Sequence, residues 1–254
     1  MKKHDKRPAR SASWDGLADW YAGWVGRDGS WYHRNLAVPL LLELLQLGRN
    51  ERLADLGCGP GILAPPVRKA GASMVGVDLS PRLIDLAQRN HGRLARFVLG
   101  DVTAMPDLPE LAPGTFDAAS FLLSIQDIDP LDAAIGSAAR LLKRSGRLGI
   151  VMLHPCFRVP RQSGWGFDES RALHYRRVDS YTTELAVPMQ AYGKGRTTRS
   201  YHRPLSAYFS ALRRAGLAVT GLREVADTAR EPDKAARRAM AEFPLLLGIR
   251  AEKM

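Results

Sequence analysis

The chain has 254 residues, 45% of them hydrophobic and 25% charged, with a formal net charge of +11. That length suits one large α/β domain, or one domain with an insertion, and can bury a core without staples. No run of eighteen apolar residues occurs, so no membrane-spanning helix is expected. Two cysteines, Cys58 and Cys156, are too few for a disulfide framework or a zinc site, which points to a reduced, cytoplasmic setting.

Residues 1–10 are basic with no apolar stretch behind them, so they fail as a secretory signal, and residues 1–13 read as a disordered basic tail. Residues 14–49 form an aromatic-rich, mostly helical lead-in whose apolar second half stops at Gly48. An alternation follows. Residues 52–56 form a short strand running into glycines, and 62–70 a helix closed by Gly71. Residues 73–77 form a strand, and 80–90 a helix with Ser80 as N-cap and Pro81 in its first turn. Strands at 96–99 and 116–122, a helix at 132–142 and a strand at 147–153 complete the run. Such alternation predicts right-handed β-α-β units and a parallel sheet.

Residues 154–202 are rich in Gly, Arg and Tyr, show little period, and read as an insertion after the fifth strand. The pattern resumes with a helix at 204–215. Strands at 217–225 and 244–251 flank a charged helix and form a hairpin-like edge. The expected fold class is therefore α/β: a Rossmann-like, doubly wound seven-stranded sheet, mostly parallel, with one antiparallel strand near the edge.

The first strand ends in Asp55-Leu56-Gly57-Cys58-Gly59-Pro60-Gly61. Glycines let the backbone turn sharply and approach a ligand closely. A dinucleotide site wants Gly-x-Gly-x-x-Gly, but Ile62 stands where its third glycine would be. A carboxylate at Asp55 repels a pyrophosphate and favours a cationic sulfonium or ammonium. Asp78, followed by Leu79, ends the second strand, where an acid can accept both hydroxyls of a ribose. Asp101 and Val102 follow the third strand, where the acid can meet an adenine amino group and the Val102 backbone the ring edge.

These three elements resemble the first motifs of the class I methyltransferases, closest to the small-molecule subgroup called methyltransferase domain 11. The resemblance spans roughly residues 50–155. It implies that the cofactor is S-adenosylmethionine, the product S-adenosylhomocysteine, and that residues near Phe121 and Leu122 touch the cofactor. It also implies that residues 50–254 form the catalytic domain and that 14–49 fold over the cofactor as a lid. In that lid Tyr21 and Tyr32 are candidates for the methionine end, and Trp31 for the acceptor wall. Pro65-Pro66 departs from the family's pattern and leaves the start of the first helix open. Cys58 reads as a small turn residue within the cofactor loop, since no base is paired to it.

Methyl transfer from a sulfonium is an in-line displacement that needs alignment and, for some acceptors, a base. His154, at the exit of the fifth strand, and His202, before the next helix, are the candidate bases. No metal-ligand spacing is present. The insertion at 154–202 and the aromatic lead-in are expected to form the acceptor pocket, suited to an acceptor with an aromatic or anionic part. The leading expectation is methyl transfer to a small-molecule O, N or C nucleophile. RNA methylation is the alternative, weakly favoured by the +11 charge, and a nicotinamide-dependent oxidoreductase is disfavoured by the glycine spacing.

Overall fold

The computed structural model describes residues 14–190, 197–229 and 231–254; the tail expected over residues 1–13 lies outside the described residues. The lead-in forms helices α1 (Ala18–Val25) and α2 (Val38–Leu45). Then β1 (Arg52–Leu56), α3 (Ala64–Lys69), β2 (Ser73–Asp78), α4 (Pro81–His91) and β3 (Arg96–Leu99) alternate. They are followed by β4 (Phe116–Leu122), α5 (Leu131–Leu141) and β5 (Leu142–Leu153). Two hairpins come next, β6 (Ser163–Asp168) with β7 (Leu173–Val178), and β8 (Leu185–Gln190) with β9 (Thr197–His202). The chain closes with α6 (Leu205–Arg214), β10 (Leu217–Val225), α7 (Lys234–Glu242) and β11 (Leu246–Lys253).

The main sheet has seven strands in the order β10-β11-β5-β4-β1-β2-β3. β1 pairs in parallel with both β2 and β4, β4 with β5, and β2 with β3. β11 runs antiparallel to both of its neighbours, β5 and β10. This is the α/β arrangement that the sequence pattern predicts, with one antiparallel strand next to the edge. The chain leaves β1 in one direction across the sheet and β4 in the other, so a crevice opens at the carboxyl ends of these two strands, where open α/β sheets bind ligands.

Both faces are covered. On one, Ala134, Ile135 and Ala138 of α5 and Tyr208, Ala211 and Leu212 of α6 join one apolar cluster with β4 and β5. On the other, Leu40, Leu41, Leu44 and Leu45 of α2 pack with Leu63 and Val67 near α3 and with Ile84 and Ala87 of α4. The end of α2 is tied down by Arg147 on β5. Its guanidinium holds both oxygens of Glu51 at 3.0 and 2.6 Å and donates to the Gln46 carbonyl at 3.1 Å.

Local chemistry sets the helix starts. Ser80 Oγ accepts from the Leu83 N–H at 3.2 Å and caps α4. The Pro65-Pro66 pair opens α3 rather than kinking it. The helix begins at Ala64, so both prolines sit in the first turn, where a missing N–H removes no bond. The region at 154–202 holds four strands that its sequence does not announce. A two-stranded ribbon buries little on either face, and β6 and β7 alternate only between partly buried and exposed, leaving Phe167 and Tyr175 in solvent.

Candidate active site

A cavity of about 810 Å³ lies over the crevice. Its floor is the turn after β1. Gly57 (φ +73°) and Gly61 (φ +81°) take left-handed conformations there, and a Cβ on Gly61 would lie 2.6 Å from the Phe97 ring. The N–H groups of this turn are engaged internally. Gly57 and Cys58 donate to the Val77 carbonyl at 2.8 and 3.0 Å, Gly61 donates to the Cys58 carbonyl at 3.1 Å, and Gly59 donates to Asp78 Oδ2 at 2.8 Å. Asp78 Oδ1 accepts from the Ser80 N–H at 2.9 Å. The Asp78 carboxylate is thus held rigidly at the end of β2, and burial raises its pKa above the usual carboxylate range.

Asp78, Leu79, Asp101 and Val102 all line the cavity. Asp101 Oδ1 accepts from the Thr103 N–H and hydroxyl at 2.8 and 2.7 Å, with lone pairs left on its second oxygen. Of the turn, Gly59 is on the wall. Gly57, Cys58 and Gly61 shape the backbone from behind. Asp55 is 2% exposed and lies beneath the turn, where Ser120 Oγ donates to it at 2.8 Å. Burial lifts its pKa to about 7, against the opposing effect of the Ser120 bond.

The opposite wall comes from the aromatic lead-in. Trp14, Trp20, Tyr21 and Trp24 border the cavity, with the Trp14 and Tyr21 rings 5.0 Å apart. Asp15 fixes this segment to α4, accepting from Ser80 Oγ at 2.8 Å and from the Arg82 N–H at 3.1 Å. Tyr21 faces the turn: a Cβ on Gly59 would stand 3.6 Å from its ring. Burial, then the charges of Asp127, Asp78 and Asp55, push the Tyr21 phenol well above its ordinary value, so it stays a neutral donor. Tyr32 and Trp31 stand edge to face with each other, 5.4 Å apart, and neither borders the cavity. His33, not singled out in the sequence, does border it; burial, then Arg34, lowers its pKa to about 4.

Several expected positions are displaced. Phe121 and Leu122 point into the two apolar clusters, and the cavity is met instead by Leu123 and Ser124. β4 ends at Leu122, and Leu123 (φ +53°) swings the chain over the crevice. The two candidate bases are also elsewhere. Along β5 successive side chains face opposite ways, so Leu153 reaches the cavity while His154 is 1% exposed behind it. His154 Nε2 lies 2.7 Å from Glu224 Oε1, and its Nδ1 accepts from the Cys156 N–H at 3.2 Å. His202 is 3% exposed, and its Nε2 lies 2.6 Å from the Tyr181 carbonyl. Each imidazole holds a loop, and neither borders the cavity.

The remaining wall joins a turn not singled out in the sequence to part of the 154–202 insertion. A short 3-10 turn, Ile125–Asp127, follows β4 and brings Gln126 and Asp127 to the cavity. Met189, Thr198, Arg199, Ser200 and Tyr201 of the β8–β9 hairpin close over it. The β6–β7 hairpin lies away from it; Trp165 there packs on Phe243 and under the Arg176 guanidinium.

The family model described as "Methyltransferase domain" matches residues 54–150, from β1 into β5. The chain is 35% identical over 136 residues to a "Ubiquinone biosynthesis O-methyltransferase" from Xanthomonas oryzae pv. oryzae. It is 30% identical over 144 residues to one from Xylella fastidiosa. These matches cover 52% and 55% of this chain, which spans about half the length of those relatives (56% and 58%). The fold is shared with an S-adenosylmethionine-dependent methyltransferase of Mesorhizobium loti at a TM-score of 0.70 and 24% identity, over 90% of this chain and 100% of that one. A putative methyltransferase of Listeria monocytogenes also reaches 0.70 at 24% identity, over 86% of this chain and 96% of that one.

The cavity is acidic. Asp78, Asp101, Asp127 and Asp129 border it, against one guanidinium, Arg199, among the described residues. Such a wall favours cationic ligand groups and repels phosphates. Among the described residues no group of three His, Cys, Asp or Glu is placed to hold a metal ion, and no helix is long and apolar enough to cross a membrane.

Proposed function

We propose that this chain transfers the methyl group of S-adenosylmethionine to a small-molecule acceptor. One observation carries the reading: the N–H groups of Gly57, Cys58, Gly59 and Gly61 in the turn after β1 are spent on Val77, Asp78 and Cys58 and are not free for a pyrophosphate, while carboxylates end β2 and follow β3 on the cavity wall. That arrangement fits a ribose at Asp78, an adenine amino group at Asp101, and a cationic sulfur among the acids and the faces of Trp14, Tyr21 and Trp24. Bound there, S-adenosylmethionine supplies a methyl carbon made electrophilic by its positive sulfur. The chain's own residues orient the two partners and exclude water. The cavity volume of about 810 Å³ lies in the upper range of small-molecule sites, which suits a cofactor together with an acceptor.

The small-molecule reading is preferred to an RNA substrate because the excess of carboxylates at the cavity repels a polyanion. Trp20, Trp24 and Tyr201 offer flat apolar surface, and the curated relatives are O-methyltransferases by name, which together favour a hydroxyl on an aromatic ring. Titration calorimetry tests the reading. S-adenosylmethionine and S-adenosylhomocysteine bind and NAD does not; binding of NAD alone would overturn it. Methyl-labelled cofactor with a panel of phenols, carboxylic acids and amines then identifies the acceptor class.

A further inference from the structure

With both histidines held away from the cavity, two carboxylates of the segment after β4 border it, Asp127 and Asp129, and Asp129 is paired with Arg203. Asp127 closes the 3-10 turn after β4, on the same cavity wall as Ser124 and Gln126. It is anchored from two sides. Its N–H donates to the Ser124 carbonyl at 2.9 Å, and the Ser200 hydroxyl of β9 donates to its carboxylate. Arg203, just past β9, clamps the same segment, donating to the Ile128 carbonyl and to Asp129 Oδ1, both at 2.9 Å. Asp127 therefore sits at a fixed junction between the sheet edge and the β8–β9 hairpin. Across from it stands Tyr21, which reaches from α1 to the glycine turn and feels the charges of Asp127, Asp78 and Asp55 together.

We propose that Asp127 is the catalytic base of this chain, taking the proton of an acceptor hydroxyl, of phenolic class, as that oxygen is methylated. The inference rests on the methyltransferase reading above. The step balances without a further reactant. The acceptor O–H gives its proton to an Asp127 oxygen, the oxygen pair forms the bond to the methyl carbon, and the carbon–sulfur bond breaks with its pair left on sulfur. Asp127 then returns the proton to solvent. A carboxylate in water is too weak a base for this work. Burial lifts Asp127 to about 7, with the Ser200 bond holding it from rising further. A base poised near the operating pH is the efficient one. The charged and titratable groups around it are Tyr21 on α1, Arg199 and Tyr201 on β9, Asp129 on its own segment, and Arg203 and Tyr208 at α6. Tyr208, whose phenol is raised by burial, also feels the Asp127 charge.

The test compares wild type with Asp127→Asn and Ser200→Ala, using catechol as acceptor probe. Calorimetry first measures S-adenosylhomocysteine binding, which both variants retain. Catechol is then titrated into that complex, where no turnover occurs. Its affinity for wild type rises about 10-fold from pH 6 to pH 8, as a hydrogen bond to a neutral acid becomes one to a carboxylate; in Asp127→Asn this rise is absent. With S-adenosylmethionine, kcat/KM for catechol climbs with pH through about 7 in wild type. It falls by roughly 10²–10⁴-fold in Asp127→Asn, with the inflection lost. In Ser200→Ala the inflection moves to higher pH. Asp127→Asn with a wild-type rate and pH profile, or catechol binding with the same pH dependence in both proteins, would overturn the assignment. Failure of wild type to bind S-adenosylhomocysteine would instead overturn the methyltransferase reading.

Discussion

Replacing Asp55 by Asn probes the charge beneath the glycine turn. Asp55 is 2% exposed, and burial lifts its pKa from 3.8 to about 7. The folded protein therefore holds a proton that the unfolded chain loses near pH 4. Stability contributed by this group is full below about pH 4, declines as pH rises toward 7, and is level above. The interval between 3.8 and about 7 corresponds to about 4 kcal/mol against the ionised form. Asn keeps an oxygen for the Ser120 hydroxyl, 2.8 Å away, and cannot ionise. Its amide hydrogens need partners, at a fixed cost of about 1–3 kcal/mol if unmet. That cost is independent of pH and cancels from the comparison. Urea denaturation of both proteins without cofactor, from pH 4 to pH 8, should show the variant equal or weaker at pH 4. By pH 8 the balance should have moved in its favour by about 4 kcal/mol. A gap that stays constant within about 1 kcal/mol over this range would refute the claim that Asp55 is neutral in the cofactor-free fold. The same variant should bind S-adenosylmethionine more weakly than wild type, having lost an ionisable acid near a cationic ligand.

Asp78→Ala removes the acceptor that holds the Gly59 and Ser80 N–H groups, and should weaken S-adenosylmethionine binding by about 2–4 kcal/mol in calorimetry while the fold persists. Gly61→Ala places a Cβ 2.6 Å from the Phe97 ring at φ +81°, and should lower unfolding free energy by about 2–5 kcal/mol, part of it recovered by Phe97→Leu. His154→Ala and His202→Ala should each lower the melting temperature, through about 1–3 kcal/mol of lost hydrogen bonding, while kcat with an identified acceptor stays within a few-fold of wild type. A drop of 10²-fold or more in kcat for either would return that histidine to the chemistry.

The sheet was legible because each of its strands carries its own signal: short apolar runs stopped by glycine or an acid, joined by helices with marked ends. Ser80-Pro81 announced α4 by cap and first-turn proline, and the structure shows both in those places. Pro65-Pro66 was ambiguous because a proline's effect depends on its position in the helix, and two residues of uncertainty in the boundary change it from a kink to a start. The lead-in hid a division of labour. Its first part, from Trp14 to Trp24, borders the cavity, while Leu40, Leu41, Leu44 and Leu45 belong to the core under the sheet. Both parts are apolar, and composition alone does not separate a wall from a core.

The cavity wall at the ends of β1, β2 and β3 could be read from three contiguous strings because one strand end supplies each part of it. The opposite wall cannot be read that way. It joins α1, the turn after β4 and the β8–β9 hairpin, segments brought together only by the fold. The two histidines drew attention because imidazole is the usual base near neutral pH. Their placement turned on parity: one residue along β5 separates Leu153, in the cavity, from His154, behind it. Asp127 drew none, because a lone aspartate in a loop is an ordinary solvated residue. β4 ends at Leu122, and the chain needs a further turn to come over the crevice. One signal was present: Ile125 and Ile128, three apart, bracket Gln126 and Asp127. Ile125 is buried in the core beneath β4, which turns the two polar residues between them toward the cavity. An apolar pair at that spacing just past a strand end is therefore reason to examine the polar residues it encloses, even where no motif names them.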